Sequence, residues 1–188
     1  LTALRALLLV AIDRYLERAR LLEVREGISE LEIQKLAYFL QLGGAPLQLK
    51  FVRGRYGPYS DRLTHVLNVL EGHHLTGLGD RSARVAELVP INPTPGGVPE
   101  AEKLLAELTE FEPRLESLLN LINGFETPYS LELLATVHFA ATQSPPTSSA
   151  DEISQRVAKW SLRKARLFTP EHVATAAQRL NEHHLMPV

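Results

Sequence analysis

The segment from Leu31 to Asp80 constrains this chain more than any other, because its apolar period changes repeatedly within it. LEIQKLAYFLQLGG repeats at helical spacing, PLQLKFVRG alternates, RYGPYS is a tight aromatic turn, and DRLTHVLNVLEGHH returns to helical spacing. Ser29 with Glu32 three residues on is a capping box, and Gly43-Gly44 ends that helix. Leu47, Leu49 and Phe51 alternate with Gln48 and Lys50, as a half-buried strand does. Gly57-Pro58 is expected to turn the chain and Ser60 to cap the next helix, whose apolar stripe is Leu63, Val66, Leu67 and Leu70. A hairpin is expected over Leu75–Ile91, around Gly79-Asp80, with Val85, Leu88 and Val89 on its inner face.

The flanking sequence is helical. Ala3–Leu21 carries Leu4, Leu8, Ala11, Ile12, Tyr15 and Leu16 on one side. Beyond the loop Asn92–Pro99, Leu104, Leu108, Phe111, Leu115, Leu118 and Ile122 recur as on one long core-facing helix, kinked or restarted at Pro113. Thr127-Pro128 opens a helix to about Thr142, Ala150–Ser161 is another, and Thr169-Pro170 starts the last. The expectation is a mostly α protein with a small β flap. A winged-helix-like lobe over 1–91 and a helical lobe over 100–188 would pack as one domain.

Composition narrows the function classes. There is no cysteine, so disulfides and thiolate metal sites are excluded. The apolar run Leu7–Ile12 is too short to cross a bilayer and no signal sequence is visible, so a cytoplasmic protein is expected. The first residue is Leu, which suits a piece of something longer. His73-His74 and His183-His184 are adjacent pairs whose side chains diverge on a helix, so they read as polar helix ends. His138, between Val137 and Phe139, reads as a hydrogen-bonded, partly buried histidine. No phosphate loop, no G-x-S-x-G turn and no H-E-x-x-H occurs. Neither a catalytic constellation nor a cofactor or metal site is expected, and the chain reads as a non-enzyme.

KLAYFLQ at Lys35–Gln41, L-x-F-V-x-G-x-YGPYS at Leu49–Ser60, HVLNVLEGH at His65–His73 and Gly-x-Gly-Asp at Gly77–Asp80 follow in a fixed order. With RALLLVAIDRYL near the start, these words resemble the C-terminal, toxin-binding domain of DarG antitoxins. The resemblance implies that the full-length protein carries an N-terminal macrodomain that removes ADP-ribose from DNA. It implies that the present part binds a DarT-like toxin, which uses NAD to ADP-ribosylate single-stranded DNA. Inhibition would then follow from covering the surface on which the toxin holds DNA.

Two sets of residues could make that contact. Arg53, Arg55, Tyr56 and Tyr59 in the turn, with Arg62, His65 and Asn68 along the next helix, are of the types that anchor interfaces, unless Tyr56 and Tyr59 only pack the turn. The second set is acidic. Residues 1–99 hold twelve Lys/Arg against ten Asp/Glu, 100–150 two against eight, and 151–188 six against four. On one helix Glu100, Glu107, Glu110, Glu112 and Glu116 would form either a phosphate-like track, with Glu107, Glu110 and Glu116 as its partner-binding residues, or an ordinary solvated face. A winged-helix nucleic-acid module is the alternative, with Arg53, Arg55, Arg62, Tyr56 and Tyr59 on the strand. The pI of about 6.4 speaks against direct nucleic-acid binding. An adaptor to a protease or chaperone is a third reading.

Overall fold

The computed structural model describes residues 1–79 and 90–188. It is mostly α with a small β component, as the periodicity indicates, and divides into two compact units. The first comprises 1–51 and 60–120, the second 52–59 and 121–188. The sequence reading instead divides the chain at the 92–99 loop.

In the first unit α1 (Ala3–Leu22) is the central helix and packs most extensively on α4 (Gly97–Leu105). Every residue from Ala6 to Ile12 is buried, so α1 is apolar all round in its middle rather than on one side. α2 (Glu30–Leu42) begins at the capping box: Ser29 Oγ accepts from Glu32 N at 3.2 Å and the Glu32 carboxylate accepts from Ser29 N at 2.9 Å. α3 (Asp61–Leu70) buries Leu63, Leu67 and Leu70. Ser60 stands at its N-cap, but the Ser60 hydroxyl makes no capping bond and is buried without a hydrogen-bond partner among the described residues. The expected helix from Leu104 through Ile122 is two helices, α4 and α5 (Glu112–Leu121). Pro113 lies in the first turn of α5, where its missing N–H leaves no bond unmade.

In the second unit α6 (Pro128–Thr142) is the central helix, buried without interruption from Leu131 to His138. Around it stand α7 (Ala150–Trp160), the short α8 (Leu162–Leu167) and α9 (Pro170–Glu182). Thr127, Ser149 and Thr169 cap α6, α7 and α9 through their hydroxyls. Against α6 lies a hairpin of β1 (Val52–Gly54) and β2 (Gly57–Tyr59), paired Val52↔Tyr59, Arg53↔Pro58 and Gly54↔Gly57.

Both β expectations shift. Residues 47–51 form no strand, Gln48 among them having a left-handed φ of 54°; Leu49 is buried, and the ladder forms only from Val52. The turn is centred on Arg55-Tyr56, with Gly57-Pro58 already in the returning strand. Gly57 has φ of 98°, which favours glycine, and a side chain on Gly54 would lie 2.9 Å from the Gly57 carbonyl oxygen. The expected 75–91 flap falls largely outside the described residues. Its ends are antiparallel: β3 (Leu75–Thr76) pairs with β4 (Asn92–Pro93), and Ile28 bridges Ile91.

Candidate functional site

Two glutamines of α2 hold the chain on either side of the hairpin. Gln41 donates to the Leu49 carbonyl at 2.9 Å and accepts from Leu49 N at 2.7 Å. Gln34 does the same to Ser60, at 3.0 and 2.9 Å. Each side-chain amide therefore pairs one residue's N–H and C=O as a neighbouring strand would, which satisfies the backbone of Leu49 and part of that of Ser60 without a ladder. The KLAYFLQ helix thus fixes where the next motif begins and ends. Sequence reading passes over both glutamines, although their spacing of seven residues puts them on one side of a helix.

Within the second unit the hairpin rests on a buried ionic cluster. Glu132 of α6 accepts from Arg163 Nη1 at 2.7 Å and from Lys164 Nζ at 2.7 Å, and Thr136 Oγ1 lies 3.3 Å from the same ammonium. Lys164 is fully buried. Burial alone would raise the Glu132 pKa, but the bonds from Arg163 and Lys164 outweigh it and hold the carboxyl below its ordinary range. For Lys164 burial prevails over the same partner and lowers its pKa. The Arg163 guanidinium also stands 4.7 Å from the Tyr56 ring centroid, with Arg55 at 5.4 Å from the same ring. On the other strand Arg53 donates to the Lys159 and Trp160 carbonyls, at 3.2 and 2.7 Å, and lies 4.9 Å from the Trp160 ring. Trp160 Nε1 donates to the Gly54 carbonyl at 3.0 Å. No sequence pattern marks Glu132, Trp160, Arg163 or Lys164, because a buried ion pair inside an apolar helix has no periodic signature.

The expected contact residues divide between the units. Arg53, Arg55, Tyr56 and Tyr59 belong to the second; Arg62, His65, Asn68, Glu107, Glu110 and Glu116 belong to the first. Arg62, His65 and Asn68 are exposed on α3, and Arg62 donates to the Gln48 carbonyl at 3.3 Å. The acidic track is not one helix face, because Glu107 and Glu110 lie in the connection between α4 and α5. Glu112 pairs with Arg14 at 2.7 Å and Glu100 with His74 at 3.2 Å. Glu107, Glu110 and Glu116 are exposed and make no ion pair among the described residues. Asp13 of α1 has its pKa raised by burial and then by the charges of Glu17 and Glu102, so negative charge is dense in this unit. His138 is buried, its Nε2 donating to the Leu185 carbonyl at 3.0 Å. Among the described residues no three metal-ligating side chains converge and no helix is long and apolar enough to cross a membrane.

No known family model matches the chain. It is 40% identical over 186 residues to proteins of Mycobacterium bovis and Mycobacterium tuberculosis named DNA ADP-ribosyl glycohydrolase, covering 94% of this chain and 51% of theirs. A protein of that name from Thermus aquaticus is 39% identical over 155 residues, covering 82% of this chain and 41% of its own length. The chain therefore spans about half the length of the curated relatives it matches. The expectation that the chain is no enzyme does not stand against this finding, because relatives matching nearly all of it carry an enzyme's name.

Proposed function

We propose that this chain is the partner-binding part of a DarG-like DNA ADP-ribosyl glycohydrolase, and that it restrains a DarT-like ADP-ribosyltransferase by covering that toxin's single-stranded-DNA surface. The relatives' names support the DNA ADP-ribosylation setting, and the sequence motifs from Lys35 to Asp80 support the partner. The relatives that carry the glycohydrolase name are about twice as long as this chain. The observation that carries the reading is the set Glu107, Glu110 and Glu116, exposed and without cationic partners among the described residues, in a unit with sixteen acidic residues against twelve Lys/Arg. A transferase that grips a DNA strand presents basic groups, and unpaired carboxylates complement them. Tyr56 and Tyr59, with Arg53 and Arg55, supply the aromatic anchors, and Arg62, His65 and Asn68 the exposed polar side of α3.

Mixing the chain with a DarT-like transferase and resolving the mixture by size tests this. A single co-eluting species is expected. Reversing Glu107, Glu110 and Glu116 to Lys should slow association strongly and leave stability nearly unchanged, because exposed charges contribute little to folding. Separate elution of the two proteins at low salt overturns the reading.

A further inference from the structure

The second unit contains a groove of about 360 Å³ between the hairpin, α6 and α7, lined among others by Arg53, Phe139, Arg156, Lys159 and Trp160. That volume is in the range of small-ligand sites. Its chemistry is specific: three cations line it, and the Phe139 and Trp160 rings meet in its wall at 5.5 Å between centroids. Both arginines are held before any ligand arrives. Arg156 donates to the Ala140, Gln143 and Pro145 carbonyls at 3.0, 3.0 and 2.6 Å, and Arg53 to those of Lys159 and Trp160. A guanidinium has five N–H donors, so these bonds orient each fork and leave donors for an anion. The Lys159 side chain is exposed, and its ammonium makes no hydrogen bond or ion pair among the described residues.

The geometry points to this groove as a seat for one nucleotide of a single strand. The phosphate would meet Lys159 and the arginines, and the base would rest on the Arg53 guanidinium that already covers the Trp160 indole. Bases stack on guanidinium planes as well as on rings. A second platform of the same kind, Tyr56 with Arg55 and Arg163, lies on the same hairpin. A mildly acidic whole chain conceals this: the second unit has eight Lys/Arg against six Asp/Glu, and one of those six, Glu132, is already paired. The inference is independent of the transferase reading and needs only this chain and a strand.

Trp160 is the only tryptophan, so its fluorescence reports this groove alone. A short oligothymidylate should quench it saturably, with affinity falling steeply as salt rises. Lys159→Glu should weaken binding by about tenfold or more, because it removes a partner for the phosphate and puts a repulsive charge in its place, while melting like the parent. Trp160→Phe should abolish the signal, while anisotropy of a labelled strand still reports binding. The proposal is overturned by an oligothymidylate that leaves the fluorescence unchanged or by a Lys159→Glu variant that binds as tightly as the parent. It is equally overturned by a poly-glutamate peptide that quenches in place of the strand, which would mark the groove as a seat for an acidic protein segment.

Discussion

The two units each bury a glutamate in a helix whose middle is buried on all sides, and they compensate that charge differently. In the first, Glu32 lies at the start of α2 and serves the helix as well as the ion pair. It caps Ser29 N, accepts from the Tyr15 hydroxyl at 2.6 Å, and pairs with Arg25 at 2.7 Å. In the second, Glu132 lies further inside α6, where no backbone donor is free, and among the described residues it depends on Lys164 and Arg163. The first carboxylate shares its charge among backbone, phenol and guanidinium. The second confines a fully buried ammonium and, through Arg163, steadies the ring of Tyr56. Charge burial thus serves mainly secondary structure in one unit and a surface aromatic in the other.

The largest test of that contrast is removal of each carboxylate. Glu132→Ala leaves Lys164 buried beside Arg163 and should cost about 3–5 kcal/mol in a denaturant melt. Glu32→Ala should cost less, about 2 kcal/mol, from a cap and a shared ion pair, since Arg25 keeps Glu23 at 3.4 Å. Equal losses would erase the distinction.

Acid should then separate the units. Burial pulls the His138 pKa down to about 4, against an ordinary 6.5. The unfolded chain binds the proton first, so the second unit is fully stabilised above pH 6.5 and loses stability as pH falls toward 4, by up to about 3 kcal/mol. Asp13 has the opposite sign: its raised pKa means the folded first unit takes up a proton before the unfolded chain does, and gains on acidification. Segment-resolved hydrogen exchange from pH 7 to 4 should show protection falling in α6 and α9, and His138→Gln should flatten that trend.

A smaller effect concerns Tyr56. Tyr56→Ala should weaken transferase binding by about 1–3 kcal/mol if the ring is an anchor. Unchanged affinity per folded molecule with a lowered melting temperature would make it packing for Arg163 only. Smallest of all, Asp13→Asn should raise stability by a few tenths of a kcal/mol, roughly the size of a relieved like-charge pair on a helix.

Much of the fold is legible in the sequence. The capping box, the Gly43 stop, the restart at Pro113 and the Thr127 and Thr169 starts rest on local chemistry, which reads from neighbouring residues. What escapes is long-range. Nothing in PLQLK says that Gln41 will complete the backbone of Leu49, so a ladder is expected where a side chain stands in. Periodicity joins Leu104 to Ile122 in one helix and so places Glu107 and Glu110 on a face rather than in a connection. Charge counted along the chain hides the basic lining around Trp160, because Arg53 comes from a hairpin that is distant in sequence. The apolar neighbours of His138 mark it as buried and hydrogen-bonded, whereas its acceptor, the Leu185 carbonyl, lies far along the chain.

The central claim, restraint of a transferase by binding, is tested most directly by nicotinamide release. A DarT-like transferase is supplied with NAD and single-stranded DNA, and the chain is titrated in. Nicotinamide reports transferase turnover whether or not the modified DNA is later hydrolysed. The account predicts that release stops near one chain per transferase, and that Lys159→Glu, which weakens the proposed strand seat, inhibits as well as the parent. Continued nicotinamide release while ADP-ribosyl-DNA disappears would contradict it, and would show that the chain acts on the product rather than on the toxin.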